Sequence, residues 1–310
     1  MHLMIPHASA LGEAAVHAAR ELALPQLAAL LGLLSPGTRL GSDEFDPNTA
    51  LEQALAAAWG WQAEAGTLPT AAALAEDDGI AAGTSAWALL TPLHLSVGSD
   101  QVTALHPRAL ALTEAESRAF FESLAWLFPA EEGWRRAWGA TERWYVAHDE
   151  LAGLASASLE RVINRNVAPW MPEARRLRTL QNELQMALHR HPLNEAREAR
   201  GALPLNAAWL SGCGRAQARA ATPALRLHPE LREPLLDEDW AAWREAWAAL
   251  DAGPVAELLR RARAGEAVAL TLCGERHAQH YAPRQRGGLD RLWSRIAPPR
   301  GDVAAALEAL

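Results

Sequence analysis

Three short runs bring together the residue types that hold metal ions or attack as nucleophiles. The first is Pro6-His7, closing an N-terminal apolar run. The second is Ser211-Gly212-Cys213-Gly214, after ALPLNAAWL. The third is Cys273-Gly274-Glu275-Arg276-His277, after AVALTL, with His280 three residues further on. Cys, His and Glu are the donors a zinc-like ion prefers, so His7, Cys213, Cys273, Glu275, His277 and His280 form a candidate metal set. Two cysteines on different strands are not a CxxC pair. Buried, inert thiols and a redox or nucleophilic cysteine are therefore the alternatives. The glycines between them let the backbone approach a ligand closely.

A second constellation lies in HPLNEAREARGALPLNAAWLSGCG, residues 191–214. Asn194 is placed to cap a two-turn helix on which Arg197 and Arg200 share a face. Gly201 ends that helix, and Pro204 leads into a strand. Two planar guanidinium groups suit a phosphate or carboxylate, and Asn194 and Asn206, with Asn164, Asn166 and Asn182, add amide groups for a polar pocket. Glu195 and Glu198 are near enough to pair with the arginines, which makes structural ion pairs the alternative.

These residues need a scaffold of strands and helices. HLMIP reads as a buried strand, followed by a helix over roughly 10–33 with Ser9 as its cap and Pro25 as its break. Residues 35–48 read as a loop, and a helix runs from Asp46-Pro47 to about Trp59. A polar, Ala-rich helix follows near 69–77. Residues 85–105 suggest two strands and a turn. Thr113 and Glu116 form a capping box for a helix reaching Phe128. A hairpin is expected around Gly139, and a helical stretch near 156–166. The clearest helix is 172–190, with Leu177, Leu180, Leu184, Ala187 and Leu188 as its buried stripe. Arg175, Arg178, Asn182, Gln185 and His189 lie on a second line, either a solvated face or else the wall of a polar cleft or a subunit contact. The tail alternates: a strand at ALPLNAAWL, a helix at LDEDWAAWREAWAAL, another at GPVAELLRRARAG, a strand at AVALTL, then helices at GLDRLWSRI and DVAAALEAL. Trp240, Trp243 and Trp247 share one helix face, as packed core residues do. Strands alternating with helices imply crossovers and a mainly parallel sheet. Its ligands then collect beyond the carboxyl ends of the strands.

Composition narrows the function classes. The chain has 310 residues, half of them apolar, and a formal net charge of -8. That balance argues against nonspecific nucleic-acid binding. No apolar run reaches the roughly 18 residues of a membrane span, and the N-terminus lacks the pattern of a signal peptide. With only two cysteines there is no disulfide framework, and a cytoplasmic location is expected. The Walker pattern, GxGxxG, HExxH and GxSxG are absent. His94, His148-Asp149 and His189-x-His191 stand as isolated signals.

The order His191-Pro192, Asn194, Arg197, Gly201, Pro204, Asn206 and Gly212-x-Gly214 resembles the archaeal-type cofactor-independent phosphoglycerate mutases. AVALTLCGERHAQH is a weaker match, in which only His280 suits the family's metal-binding Asp and His. MHLMIPHAS, TPLHLSVGSDQVT and RVINRNVAPWMP resemble a bacterial offshoot labelled RpfE-type regulatory protein. The resemblance implies an α/β fold: a reduced alkaline-phosphatase-like core over 1–84 and 191–310, with an inserted α+β region at 85–190. It also implies two divalent metals and a phosphorylated Ser or Thr. Here Pro6-His7-Ala8 follows the first strand without an acid, and Cys273-Gly274-Glu275 stands where the late Asp-His pair belongs. The expectation is therefore a mutase-like, regulatory or ligand-binding protein without a cofactor. Its ligand would be a phosphorylated or carboxylated metabolite, or a protein partner. The competing reading is an active mutase or phosphohydrolase with Zn or Mn in a rewired site.

Overall fold

A computed structural model describes residues 1–41, 44–220, 225–284 and 300–310. In chain order its main elements begin with β1 (His2–Ile5), α1 (Glu13–Arg20), α2 (Pro25–Leu33), β2 (Leu34–Leu40), α3 (Ala50–Trp59) and α4 (Thr70–Asp77). Next come β3 (Ala86–Leu93), β4 (Leu95–Val97), β5 (Val102–Ala104), α5 (Glu114–Ser123), β6 (Arg135–Ala140) and β7 (Arg143–Ala147). They are followed by α6 (Arg175–His189), α7 (Leu193–Ala199), β8 (Ala207–Arg215), β9 (Leu225–Leu227), α8 (Arg232–Leu236) and α9 (Trp240–Leu250). The last are α10 (Ala256–Arg263), β10 (Ala269–Cys273), β11 (Ala278–Pro283) and α11 (Val303–Glu308). Among the described residues no helix is long and apolar enough to cross a membrane.

The chain divides into two units. One comprises 1–44, 49–59 and 220–310, the other 45–48 and 60–219. The second unit therefore extends well beyond the 85–190 insertion expected from the sequence.

The first unit is built on a five-stranded sheet in the order β2-β11-β10-β1-β9. β1 runs parallel to β10 and β9, whereas β11 is antiparallel to both β10 and β2. The sheet is mixed rather than mainly parallel. β2 occupies residues read as a loop, because Ser35, Pro36 and Gly37 conceal an edge strand that pairs with β11. Alternation along β1 sends Leu3 and Ile5 to one face and Met4 to the other. The first face packs under α1, α2, α9 and α10, with Trp243 and Trp247 wholly buried. The second is covered by the alanine-rich α3.

Two helices expected separately, LDEDWAAWREAWAAL and GPVAELLRRARAG, join through a π-turn at Asp251–Val255 that absorbs Pro254. Asp251 stands there, buried, and accepts the N–H groups of Gln26 and Leu27 at 3.1 and 2.7 Å. It thus caps α2, which has no side-chain cap of its own. Burial holds the Asp251 carboxyl above the usual range despite those two bonds. Ser9 does not cap α1, which starts four residues later at Glu13. The helix expected at GLDRLWSRI lies outside the described residues.

The second unit carries an antiparallel sheet in the order β6-β7-β3-β8. β8 was expected in a parallel core, but it pairs antiparallel with β3. α4 covers one face through Ala71, Ala72 and Ala75 against Trp87 and Tyr145. α5 and α6 cover the other. The β4–β5 hairpin stands apart from this sheet. The stretch 156–166, read as helical, contains only a 3-10 turn at Leu159–Arg161.

Candidate functional site

The carboxyl ends of β1 and β10 are the place where a parallel pair of strands presents a ligand site. Here that crest is packed with the chain's own residues. Gly274 lies so close to its neighbours that a Cβ there would stand 2.5 Å from Ser9 Oγ and 2.5 Å from the Leu310 Cβ. The Leu310 carbonyl accepts the N–H groups of Arg276 and His277 at 3.1 and 2.6 Å. Ala8 donates its N–H to the Cys273 carbonyl at 2.8 Å, and the His7 carbonyl accepts from Trp243 Nε1 at 3.1 Å. Glu275 accepts the Leu11 N–H, and His277 Nδ1 sits 3.0 Å from Arg39 Nη2. Each of these strand-end residues is engaged in closing the crest.

The metal expectation meets the same arrangement. Cys213 belongs to the second unit, whereas His7, Cys273, Glu275, His277 and His280 belong to the first. Among the described residues no three His, Cys, Asp or Glu side chains gather closely enough to share an ion. Burial pushes the Cys213 thiol up to about 12 and raises the Cys273 thiol as well, so neither presents a thiolate at neutral pH. These donors do not fit a shared divalent ion.

Ser211-Gly212-Cys213-Gly214 is not a strand end either, since β8 continues to Arg215. Leu89 faces Ser211 and Trp87 faces Gly214, so β8 carries one extra residue in a bulge. Gly212 takes φ +68° within it, and Gly212 and Gly214 both lie against the Pro69–Ala71 start of α4. The backbone these glycines admit belongs to a helix, not to a ligand.

In the opening segment Asn194 does not cap its helix, whose N-cap is Pro192. The Asn194 amide donates to the Leu188 and Leu205 carbonyls and its oxygen accepts the Leu205 N–H, tying α6 and α7 to the approach to β8. Asn206 does the same for β4, exchanging two bonds with the Leu95 backbone. Arg197 is fully buried. Its Nε donates to the Leu203 carbonyl, one Nη to Glu116 at 2.9 Å and the other to the Leu110 carbonyl. Arg200 also donates to Glu116. Desolvation would raise the Glu116 pKa, but the bonds from the Thr113 backbone and from Arg200, Thr113 and Arg197 outweigh it and hold the carboxyl at about 2. The isolated histidines take local posts: His148 stacks on Trp134, and His191 packs against Phe120.

One titratable constellation was not read from the sequence. On the α3 side of the first sheet, His2 Nε2 lies 2.8 Å from Thr271 Oγ1, and that hydroxyl lies 3.1 Å from His280 Nδ1. The two rings meet edge to face, 5.3 Å apart. They form the floor of a cavity of about 260 Å³ walled by Leu40, Ala54, Ala57, Ala58 and Ala278. Alanines on α3 leave the space that larger side chains would fill. Burial, then the neighbouring His280, lowers the His2 pKa to about 4, and burial lowers that of His280 too. At neutral pH both rings are uncharged, so the hydroxyl can donate to one and accept from the other, a chain able to pass a proton. The signal in the sequence was the period-two alternation of HLMI, ALTLC and AQHYAP, which puts all three polar groups on one sheet face.

This chain has a pH consequence. His2 has a folded pKa near 4 and an unfolded value near 6.5, so its contribution is complete above pH 6.5. Stability falls as pH drops from about 6.5 toward 4, because the unfolded chain takes up the proton first. After allowance for solvent around the ring, the expected loss is of order 2 kcal/mol. Urea midpoints at steps from pH 7 to 4.5 should show this slope, and His2→Gln should flatten it.

No family model matches the chain, and no curated protein matches it. Among solved structures it is similar to a cofactor-independent phosphoglycerate mutase from Thermoplasma acidophilum. Identity is 11%, coverage is 98% of this chain and 94% of that one, and the TM-score is 0.40. It is also similar to the PH0037 protein from Pyrococcus horikoshii, with 11% identity, coverage of 98% and 91%, and a TM-score of 0.49. Likenesses of this size bring no chemistry to this chain, whose sites are read from its own residues.

Proposed function

We propose that this chain is a phosphoglycerate-mutase-like protein that binds a small molecule in a regulatory role and does not transfer phosphate. The observation that carries the reading is the closed crest at β1 and β10. Ser9, Glu275 and Leu310 pack and hydrogen-bond around the carboxyl ends of these strands, where a parallel pair would otherwise present a ligand site. Protonated, buried thiols at Cys213 and Cys273 support it, because neither can act as a ligand or nucleophile without first losing a costly proton. Arg197, the expected anion anchor, spends its donors on Glu116 and two carbonyls.

Turnover tests the reading. Purified protein supplied with Mn²⁺, Zn²⁺ or Mg²⁺ should interconvert 2- and 3-phosphoglycerate no faster than the metal alone, and should release no phosphate. Elemental analysis should find less than stoichiometric metal. A rate that requires Mn²⁺ or Zn²⁺ and disappears in Cys273→Ala or His277→Ala would establish an active enzyme with a rewired site instead.

A further inference from the structure

The second unit contains a cavity of about 510 Å³, in the size range of small-molecule sites. Leu93, Val167, Met171 and Trp209 supply apolar walls. Gln181 and Gln185 reach it from α6, one from the buried side of that helix and one from its exposed line. Asp100 lies at the rim, on the turn between β4 and β5.

Two observations define what fits. The first is Gln181. The residue as a whole is nine-tenths buried, its side chain lines the cavity, and no hydrogen bond ties its carboxamide to the described residues. A carboxamide that faces a cavity and has no protein partner keeps its donors and its acceptor for whatever fills that space, water or ligand. The second is charge. Among the described residues no Arg or His lines the cavity, and the one ionisable group there, Asp100, is acidic. An anion placed here would lose its hydration and gain no cation.

We propose that this cavity binds an uncharged small molecule with an apolar body and an amide-type edge, one donor beside one acceptor, which pairs with the Gln181 carboxamide. A carboxamide offers both an oxygen and an N–H₂, so it can form two hydrogen bonds with a primary amide or a lactam. A carboxylate offers acceptors only, and Asp100 repels it. The ligand class named here rests on the reading of this chain as a binding protein, and it differs from the phosphorylated or carboxylated metabolite that the sequence suggested.

Three probes with one body separate the possibilities: phenylacetamide, phenylacetate and phenethylamine. Binding to the full chain is measured by ligand-observed NMR titration, with competition between probes. Phenylacetamide should bind saturably and at least tenfold more tightly than either charged probe. Gln181→Leu, which keeps the shape of the side chain, should remove most of that preference while circular dichroism and the urea midpoint show a folded protein. Ala208→Phe, which fills the cavity from β8, should abolish binding of all three. Equal or tighter binding of phenylacetate or phenethylamine, no saturable binding of phenylacetamide, or a preference untouched by Gln181→Leu would each overturn the proposal. These readouts do not involve phosphoglycerate, so a failure of the probes to bind and a failure of the functional reading through mutase turnover are separate, distinguishable results.

Discussion

Arg197→Leu should destabilise the second unit by about 3–5 kcal/mol, the cost of breaking a buried ion pair from one side. The side chain is fully buried and touches three separate stretches of chain. It donates to Glu116 at the start of α5, to the Leu110 carbonyl just before it, and to the Leu203 carbonyl ahead of β8. Leucine fills much of the volume but satisfies none of these oxygens, and each buried acceptor left alone costs about 1–3 kcal/mol. With a urea slope of about 2–3 kcal/mol/M, the midpoint should fall by roughly 1–2 M. Arg200→Leu is the control. Its side chain is half exposed, so although it meets the same carboxylate its removal should cost no more than about 1 kcal/mol. The doubly substituted Arg197→Leu, Glu116→Gln protein should lose less than the sum of the two single changes, because the pair acts as one unit. An Arg197→Leu protein as stable as the parent would mean that the guanidinium serves something other than the fold.

What the sequence disclosed and what it concealed divide along distance in the chain. The Thr113–Glu116 capping box was legible because its four bonded groups lie within four residues. The stripe of Leu177, Leu180, Leu184 and Leu188 on α6 and the hairpin around Gly139 were legible for the same local reason. Glu116 was read correctly as a cap, yet its second task, holding Arg197, spans 81 residues and left no local trace. His2 and Thr271 are separated by 269 residues, and only the parallel pairing of β1 with β10 brings them together. Local charge also misled. Glu195 and Glu198 are the nearest acids to Arg197 in sequence, but α7 turns the guanidinium inward to a partner on α5. The cavity beside Gln181 shows the intermediate case. A polar line on α6 was visible, and one of its members, Gln185, does line a cleft. The decisive amide stands beside that line, among the buried leucines, where a periodicity reading assigns core.

Gly212→Ala should cost about 3 kcal/mol or more, and the reason bears on how the glycine-rich turn is understood. The residue takes φ +68°, a region in which an alanine costs roughly 1–2 kcal/mol. A Cβ would also stand 2.7 Å from the Ala71 backbone nitrogen and inside van der Waals contact of Thr70 Oγ1. Those atoms form the first turn of α4, whose alanines are locked against Trp87 and Tyr145, so the collision cannot be relieved by a side-chain rotation. Overpacking of this kind adds about 1–3 kcal/mol. Gly201→Ala separates the two contributions. It too has a positive φ, +75°, but among the described residues nothing lies within 4 Å of its Cβ position, so only the conformational part, about 1 kcal/mol, should appear. The difference between the two variants measures how tightly α4 is drawn onto β8. Were Gly212→Ala no worse than Gly201→Ala, the close approach of helix to strand would not be what demands a glycine there. The run Ser211-Gly212-Cys213-Gly214 would then regain its first meaning, a backbone kept bare for something outside the chain.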